Sequence, residues 1–356
     1  MEEKTTNDSR HGNRIFLMAG SVMLLLGVLI RMTAQYVPGF ADWYGEYIYS
    51  VLAGTIGRVG GFFPFSVAEA GLYILIIFCL FYSVKFRRKP GKLLSRGVFL
   101  TEVLFFSYIV CCGVNYYRTP FSEYAGIERR ESSKEELEEL CRYLTEKVNG
   151  YEVYAGKSLT LKEYNEAGTE AMEKLGKEYP VLRGFYPRPK ALGISWILSV
   201  QQLAGIYAPF TIEANYNRDM VPYNIPHTLC HELSHLKGFM REDEANFIGY
   251  LACIEAEKEE FRYSGYLMGW IYATNALARE DRDTYTEIYL MLDEKIRQDL
   301  RINSLFWNKY EGKVAQAADK VNDTYLKINN QEDGVKSYGR VVDLMLAHYR
   351  KMEKKS

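Results

Sequence analysis

The residues able to do chemistry cluster in one short stretch, His231-Glu232-Leu233-Ser234-His235, with Glu242 following seven residues after the second histidine. On a helix, residues four apart stack on one face, so the imidazoles of His231 and His235 can converge on a single tetrahedral Zn²⁺ from successive turns. Glu232 then faces the water on the metal, where a carboxylate can take a proton and pass it to a leaving amine. Two histidines four apart can also be no more than an exposed polar face. Here, however, the chain holds five histidines in all, and three of them, His227, His231 and His235, fall at four-residue steps in this segment. His227 follows Pro226 in the first helical turn, a place for a capping or surface residue rather than a ligand.

The third ligand has to come from further along the chain. Lys237-Gly238 offers a helix stop, because glycine tolerates the left-handed turn, and a second helix opens at Arg241 or Glu242. Glu242 and Glu244 are both candidates. Asn246 lies one turn beyond Glu242, where its amide can orient a ligating histidine from behind. The Glu-x-x-x-Asn spacing resembles that of the gluzincin peptidases, in which the third zinc ligand is a glutamate followed one turn later by Asp or Asn. That resemblance favours Glu242 and leaves Glu244 as a solvated first-turn carboxylate stabilised by the helix dipole. The six-residue gap after His235 is shorter than in thermolysin-like enzymes. Over Gly205 to Cys253, in GIYAPFTIEANYN, PHTLCHELSHLKGF and REDEANFIGYLAC, the chain resembles an uncharacterised family of bacterial membrane proteins with an extracytoplasmic zincin-like domain. The likeness extends to the C-terminal VNDTYLKINNQEDGVKSYGRVVDL and to the N-terminal membrane region. It implies His231, His235 and Glu242 as metal ligands and Glu232 as the base, and it names no substrate.

The 356 residues leave room for a membrane region and one core of roughly 200 residues or more. A net charge of −1 creates no field that would gather nucleic acid. The 29 tyrosines suit belts at a bilayer surface and substrate-facing walls alike. The six cysteines make no paired framework: Cys79, Cys111 and Cys112 lie in apolar runs, leaving Cys141, Cys230 and Cys253. Cys230 and Cys253, on the two helices of the metal site, read as buried free thiols rather than a disulfide.

The elements that must position the site begin in the membrane. Residues 1–117 read as a membrane region with spans at about 15–34, 66–84 and 98–117, and an amphipathic helix at about 40–58 carrying Phe40, Tyr44, Tyr47, Ile48, Val51, Leu52 and Ile56 on one side. A cleaved signal peptide competes for the first run, but no small-x-small cleavage site follows it. Glu69 and Glu102 are expected near span ends, within reach of water or headgroups. Lys85, Arg87, Arg88, Lys89, Lys92 and Arg96 crowd the link between the second and third spans, which the positive-inside rule places in the cytoplasm. The N-terminus is then inside, and residues 118–356 form an extracytoplasmic domain on a bacterial cytoplasmic membrane.

That domain is predicted to be α+β and mostly helical. Ser133-x-x-Glu136 and Thr160-x-x-Glu163 are capping boxes, the first leading a stripe of Leu137, Leu140, Leu144 and Val148. Gly150–Gly156 reads as a linker. Ile194–Leu198 and Gly205–Ile212 are rich in β-formers and predict a small antiparallel sheet, with an edge strand that an extended peptide could join and on which Pro209 is tolerable. Asn224 is expected to cap the metal helix, with proline in its first turn. After Glu260 a helical bundle is expected over 263–278, 284–301, 304–329 and 337–351, with a turn at Asn329–Gly334 and with Tyr266, Trp270 and Tyr272 as core.

These readings together predict a membrane-anchored zinc metallopeptidase acting on a peptide or protein substrate. The alternative is a non-catalytic zincin-like envelope sensor or assembly factor that binds zinc or peptide. An intact Glu232 favours the enzyme, because a purely structural zinc site closes four protein ligands and has no use for a base. Intramembrane proteolysis is disfavoured by the charges of Lys237, Arg241, Glu242 and Asp243 around the motif.

Overall fold

The computed structural model describes residues 2–128, 130, 132–151, 159–329, 331 and 340–354, with side chains from Gly12 onward. The chain opens with α1 (Glu2–Tyr36), α2 (Phe40–Tyr44), a π-helical turn at Gly45–Tyr49, α3 (Ser50–Gly61), α4 (Val67–Lys85) and α5 (Pro90–Cys111). Three of these, Gly12–Tyr36 of α1, α4 and α5, are long and apolar enough to cross a membrane. The third lies eight residues before its expected start. Pro90 is pre-organised for a first helical turn, and the charges of Lys92 and Arg96 are accommodated on aromatic faces, 3.8 Å from the Phe86 ring centre and 3.3 Å from that of Phe16. Glu102 therefore falls in mid-helix, buried against Gly20 of α1, rather than near a span end. The amphipathic stripe is also re-phased. The π turn inserts a residue, so Tyr44, Tyr49, Leu52 and Ile56 pack inward while Tyr47, Ile48 and Val51 face out.

A 3₁₀ turn at Gly113–Tyr117 and the short α6 (Phe121–Tyr124) lead into α7 (Lys134–Asn149) and α8 (Leu161–Glu178), both closed by complete capping boxes from Ser133–Glu136 and Thr160–Glu163. The expected linker runs largely outside the described residues, as does the turn after Asn329. Next come β1 (Lys190–Ala191), α9 (Trp196–Ser199), β2 (Gly205–Ala208) and β3 (Glu213–Tyr216). The sheet is mixed, not antiparallel: its order is β1-β3-β2, with β1 parallel and β2 antiparallel to β3. Ile194–Leu198 is a turn and a helix rather than a strand, because Ser195 Oγ bonds the Leu192 carbonyl and accepts the Arg218 N–H, folding the segment locally. Strand β2 is an edge and stops before Pro209.

Helices α10 (Asn224–Leu236) and α11 (Glu242–Ile254) pack as a central pair, with α12 (Glu259–Glu280) against them. The bundle continues with α13 (Arg282–Leu290), α14 (Glu294–Asn308), α15 (Lys313–Ile328) and α16 (Val341–Glu353). The expected 284–301 helix is broken between α13 and α14. There Asn149 clamps the bend, its amide donating to the Met291 carbonyl and accepting the Asp293 N–H.

The later residues meet the three apolar helices at the C-terminal ends of α1 and α5 and at the start of α4, remote from the basic 85–96 link. A buried ion pair makes one of these joints. Glu213 on β3 takes Lys190 Nζ of β1 at 2.6 Å and accepts the first N–H groups of α4 from Val67 and Ala68, while Lys190 also donates to the Gly60 carbonyl. A carboxylate at a helix N-terminus neutralises orphan donors and opposes the positive dipole end. Removing one partner strands the other charge out of water. Lys190→Met is expected to cost about 3–5 kcal/mol in detergent-solubilised protein, and Lys190→Met/Glu213→Gln less than Lys190→Met alone; thermal or denaturant unfolding measures both.

Candidate metal centre

Helix α10 carries both histidines, and its end is shaped to return the chain. Gly238, at φ +88°, takes the left-handed position that glycine favours; its N–H bonds the His235 carbonyl and the Phe239 N–H bonds that of Ser234, a Schellman closure. The reversal turns the Phe239 carbonyl back toward His235 and starts α11 at Glu242 alongside α10. At the other end, Asn224 is the first helical residue rather than the cap, and its amide bonds Asn303.

His231 Nε2 and His235 Nε2 lie 3.0 Å apart, and Glu242 places one carboxylate oxygen 3.3 Å from the first and the other 3.7 Å from the second. Donors on a tetrahedron around Zn²⁺, with bonds of about 2.0–2.2 Å, stand about 3.3–3.6 Å apart. The donor set therefore fits such an ion, and among the described residues these three form a group placed to hold one. Both rings are held from behind. His235 Nδ1 sits 2.8 Å from the Phe239 carbonyl, which can only accept, so Nδ1 carries the proton and Nε2 presents its lone pair to the cluster. His231 Nδ1 bonds Asn246 Oδ1 at 2.8 Å, and the same oxygen accepts the Tyr272 hydroxyl at 3.1 Å.

The electrostatics favour a positive charge among these groups. Burial pulls His235 down to about 4, leaving it neutral at pH 7. Burial also opposes protonating His231, but its hydrogen bond to Glu242 and the charges of Glu242 and Glu232 outweigh this and raise its pKa. Glu232, next along α10, is buried, and burial pushes its carboxyl up to about 8 against the pull of His231. The Tyr207 backbone N–H lowers it to a lesser degree, and Oε2 has no protein partner. Position 205 admits nothing larger than glycine, since a Cβ there would sit 2.5 Å from Glu232 Oε1. The edge strand and Glu232 are thus in direct contact.

The other two expectations come out differently from their sequence reading. Glu244 is buried rather than solvated: it accepts the Phe121 N–H at the start of α6 and pairs with Arg241, and burial raises it to about 7. His227 is neither surface nor cap. It is buried, bonds the Asn246 carbonyl through Nε2 at 3.1 Å and is pushed down to about 3, first by burial. Cys230 and Cys253 are free, with sulfurs 3.8 Å apart. Tyr272, expected as core, and Gly205 both belong to the site, and only the fold brings them there, from 26 residues after Asn246 and from 27 before Glu232 respectively.

No curated protein and no solved structure matches the chain. The family described as a protein of unknown function, DUF3810, matches residues 44–346, which takes in the second and third apolar helices, the sheet and the whole His231–Glu242 cluster. By that match the chain belongs to the DUF3810 family.

Proposed function

We propose that this chain is a membrane-embedded zinc metallopeptidase with a zincin-like domain on the extracytoplasmic face of a bacterial membrane. The observation that carries the proposal is Glu232. A buried carboxyl with a free oxygen beside a three-donor cluster costs stability, and a closed structural site has no use for it. His231, His235 and Glu242 would hold Zn²⁺, which when bound would supply a Lewis acid and acidify water. The same cation would draw down the Glu232 pKa that burial raises to about 8, leaving a carboxylate able to take the proton and return it to the leaving amine. Asn246 and the Phe239 carbonyl fix the two imidazoles, and Tyr272 fixes Asn246. On β2 the ladder pairs Ile206 with Asn215, so Gly205 and Tyr207 turn their N–H and C=O groups to the outer edge. The Tyr207 N–H acts on Glu232, and Gly205 is the place where an extended peptide can pair with the backbone.

A non-catalytic sensor or assembly factor uses the same cluster, and the cover over it favours that reading: the side chains of His231, His235 and Glu242 are only 10–13% exposed. Glu232→Gln separates the two, since it keeps shape and metal while removing the base. In an unbiased peptide library with zinc, the variant is expected to lose about 10²–10⁴-fold in cleavage rate; equal cleavage by both proteins, or none by either, overturns the enzyme.

Elemental analysis tests the donor set separately. His231→Ala and Glu242→Ala are expected to lose a stoichiometric zinc, and Glu244→Ala to retain it, because Glu244 is engaged with Phe121 and Arg241.

The sidedness rests on the basic 85–96 link and on the domain lying at the opposite helix ends. Reporter fusions after Lys92 and after Gly150 are expected to report opposite sides of the membrane.

A further inference from the structure

Helix α4 has no length to spare. Its 19 residues span about 28 Å at 1.5 Å each, against a hydrocarbon core of about 30 Å. Its first turn therefore lies at the lipid boundary, and so does whatever packs on that turn. The loop after β1 does so: Glu69, in the first turn, accepts the backbone N–H groups of Gly193 at 2.7 Å and Ile194 at 2.9 Å, and Tyr73 one turn further in donates to the same carboxylate. This loop then exposes Ile194 (48%), Trp196 (56%) and Ile197 (38%). The segment entering α4 exposes Phe62 (84%), Phe63 (43%) and Phe65 (51%). Arg218, whose guanidinium holds the Gly193 carbonyl at 2.9 Å, places a cation at the same level, where phosphate headgroups lie.

We propose that these six apolar side chains form a foot that enters the interfacial zone of the lipid bilayer, so that the domain stands on lipid as well as on its spans. The patch is continuous with α4, its tryptophan and phenylalanines suit the headgroup–acyl boundary, and six exposed apolar side chains at that depth, Phe63 and Phe65 packed together among them, would otherwise face water. The foot sets the height of the domain. Strand β2 begins six residues after Ser199, the end of α9, so the edge beside Glu232 lies close above the lipid surface. The foot requires neither zinc nor turnover.

The test is depth-dependent tryptophan quenching on the full chain in phosphatidylcholine nanodiscs, with acyl chains brominated near the glycerol end or left unbrominated. In a Trp43→Phe/Trp307→Phe background the remaining tryptophans are Trp196 and Trp270, and Trp270 is buried in the domain with its N–H on Thr145. Brominated lipid is expected to quench emission. Adding Trp196→Phe is expected to abolish that quenching, and Ile197→Trp in that protein to restore it, which also shows the fold to be intact. Equal emission in the two lipids with Trp196 present, quenching that survives Trp196→Phe, or no restoration by Ile197→Trp overturns the proposal.

Discussion

Three lone-pair donors, His231 Nε2, His235 Nε2 and the Glu242 carboxylate, converge to within 3.7 Å of one another in a nearly dry site. Such groups repel unless positive charge lies among them. A proton on His231 supplies it in part: against the cost of burial, its hydrogen bond to Glu242 and the charges of Glu242 and Glu232 raise that pKa, whereas burial first of all pushes its neighbours His227 and His235 down. The surrounding architecture holds these donors together against their repulsion: the Schellman turn at Gly238, the carbonyl of Phe239, and Asn246 braced by Tyr272.

The acidic residues near α11 divide according to what they face. Glu242 looks inward at the imidazoles, Asp243 pairs with Arg340, and Glu244 caps α6 and meets Arg241. Consecutive helical positions point about 100° apart, so one turn of helix can serve a cluster, an ion pair and a neighbouring helix at once. Glu232 occupies the corresponding position on α10, one residue beyond His231, and is directed at β2 rather than into the cluster. That separation lets a carboxyl stand beside the His231–His235–Glu242 cluster without becoming a fourth member of it.

The features legible in the sequence are those that local rules govern. Two capping boxes, the stop at Gly238, the start of α11 and the Asn246–His231 contact all rest on spacings within one or two helical turns or on a pair of adjacent turns. The features it hid depend on distant neighbours. The Lys190–Glu213 pair serves helices far away in the chain, and Tyr272 reaches the site from a stripe whose spacing looks like core. Hydropathy placed the third span too late because it counts Lys92 and Arg96 as interruptions, whereas aromatic rings take up both charges. Ile194–Leu198 looked like a strand because exposed isoleucines and a tryptophan have β-propensity, although local hydrogen bonds fold them otherwise.

The end of α10 is also where the site is joined to the N-terminal helices. A helix leaves its last carbonyls without internal partners, and at this end they are met by residues around α3 and α5: the Tyr49 hydroxyl donates to Leu236 and the Arg118 guanidinium to Lys237. The Tyr49 hydroxyl also lies 2.9 Å from that of Tyr207, which donates to the carbonyl of Cys111, the last residue of α5. Tyr207 is the edge-strand residue whose backbone steadies Glu232, and its ring lies 6.5 Å from that of His235. A displacement of α5 or of the amphipathic segment therefore has to move α10, the edge strand or both, because breaking these buried hydrogen bonds leaves polar groups out of water at about 1–3 kcal/mol each. The cluster is in this sense part of the packing of the N-terminal apolar helices, and its geometry is set where α5 ends.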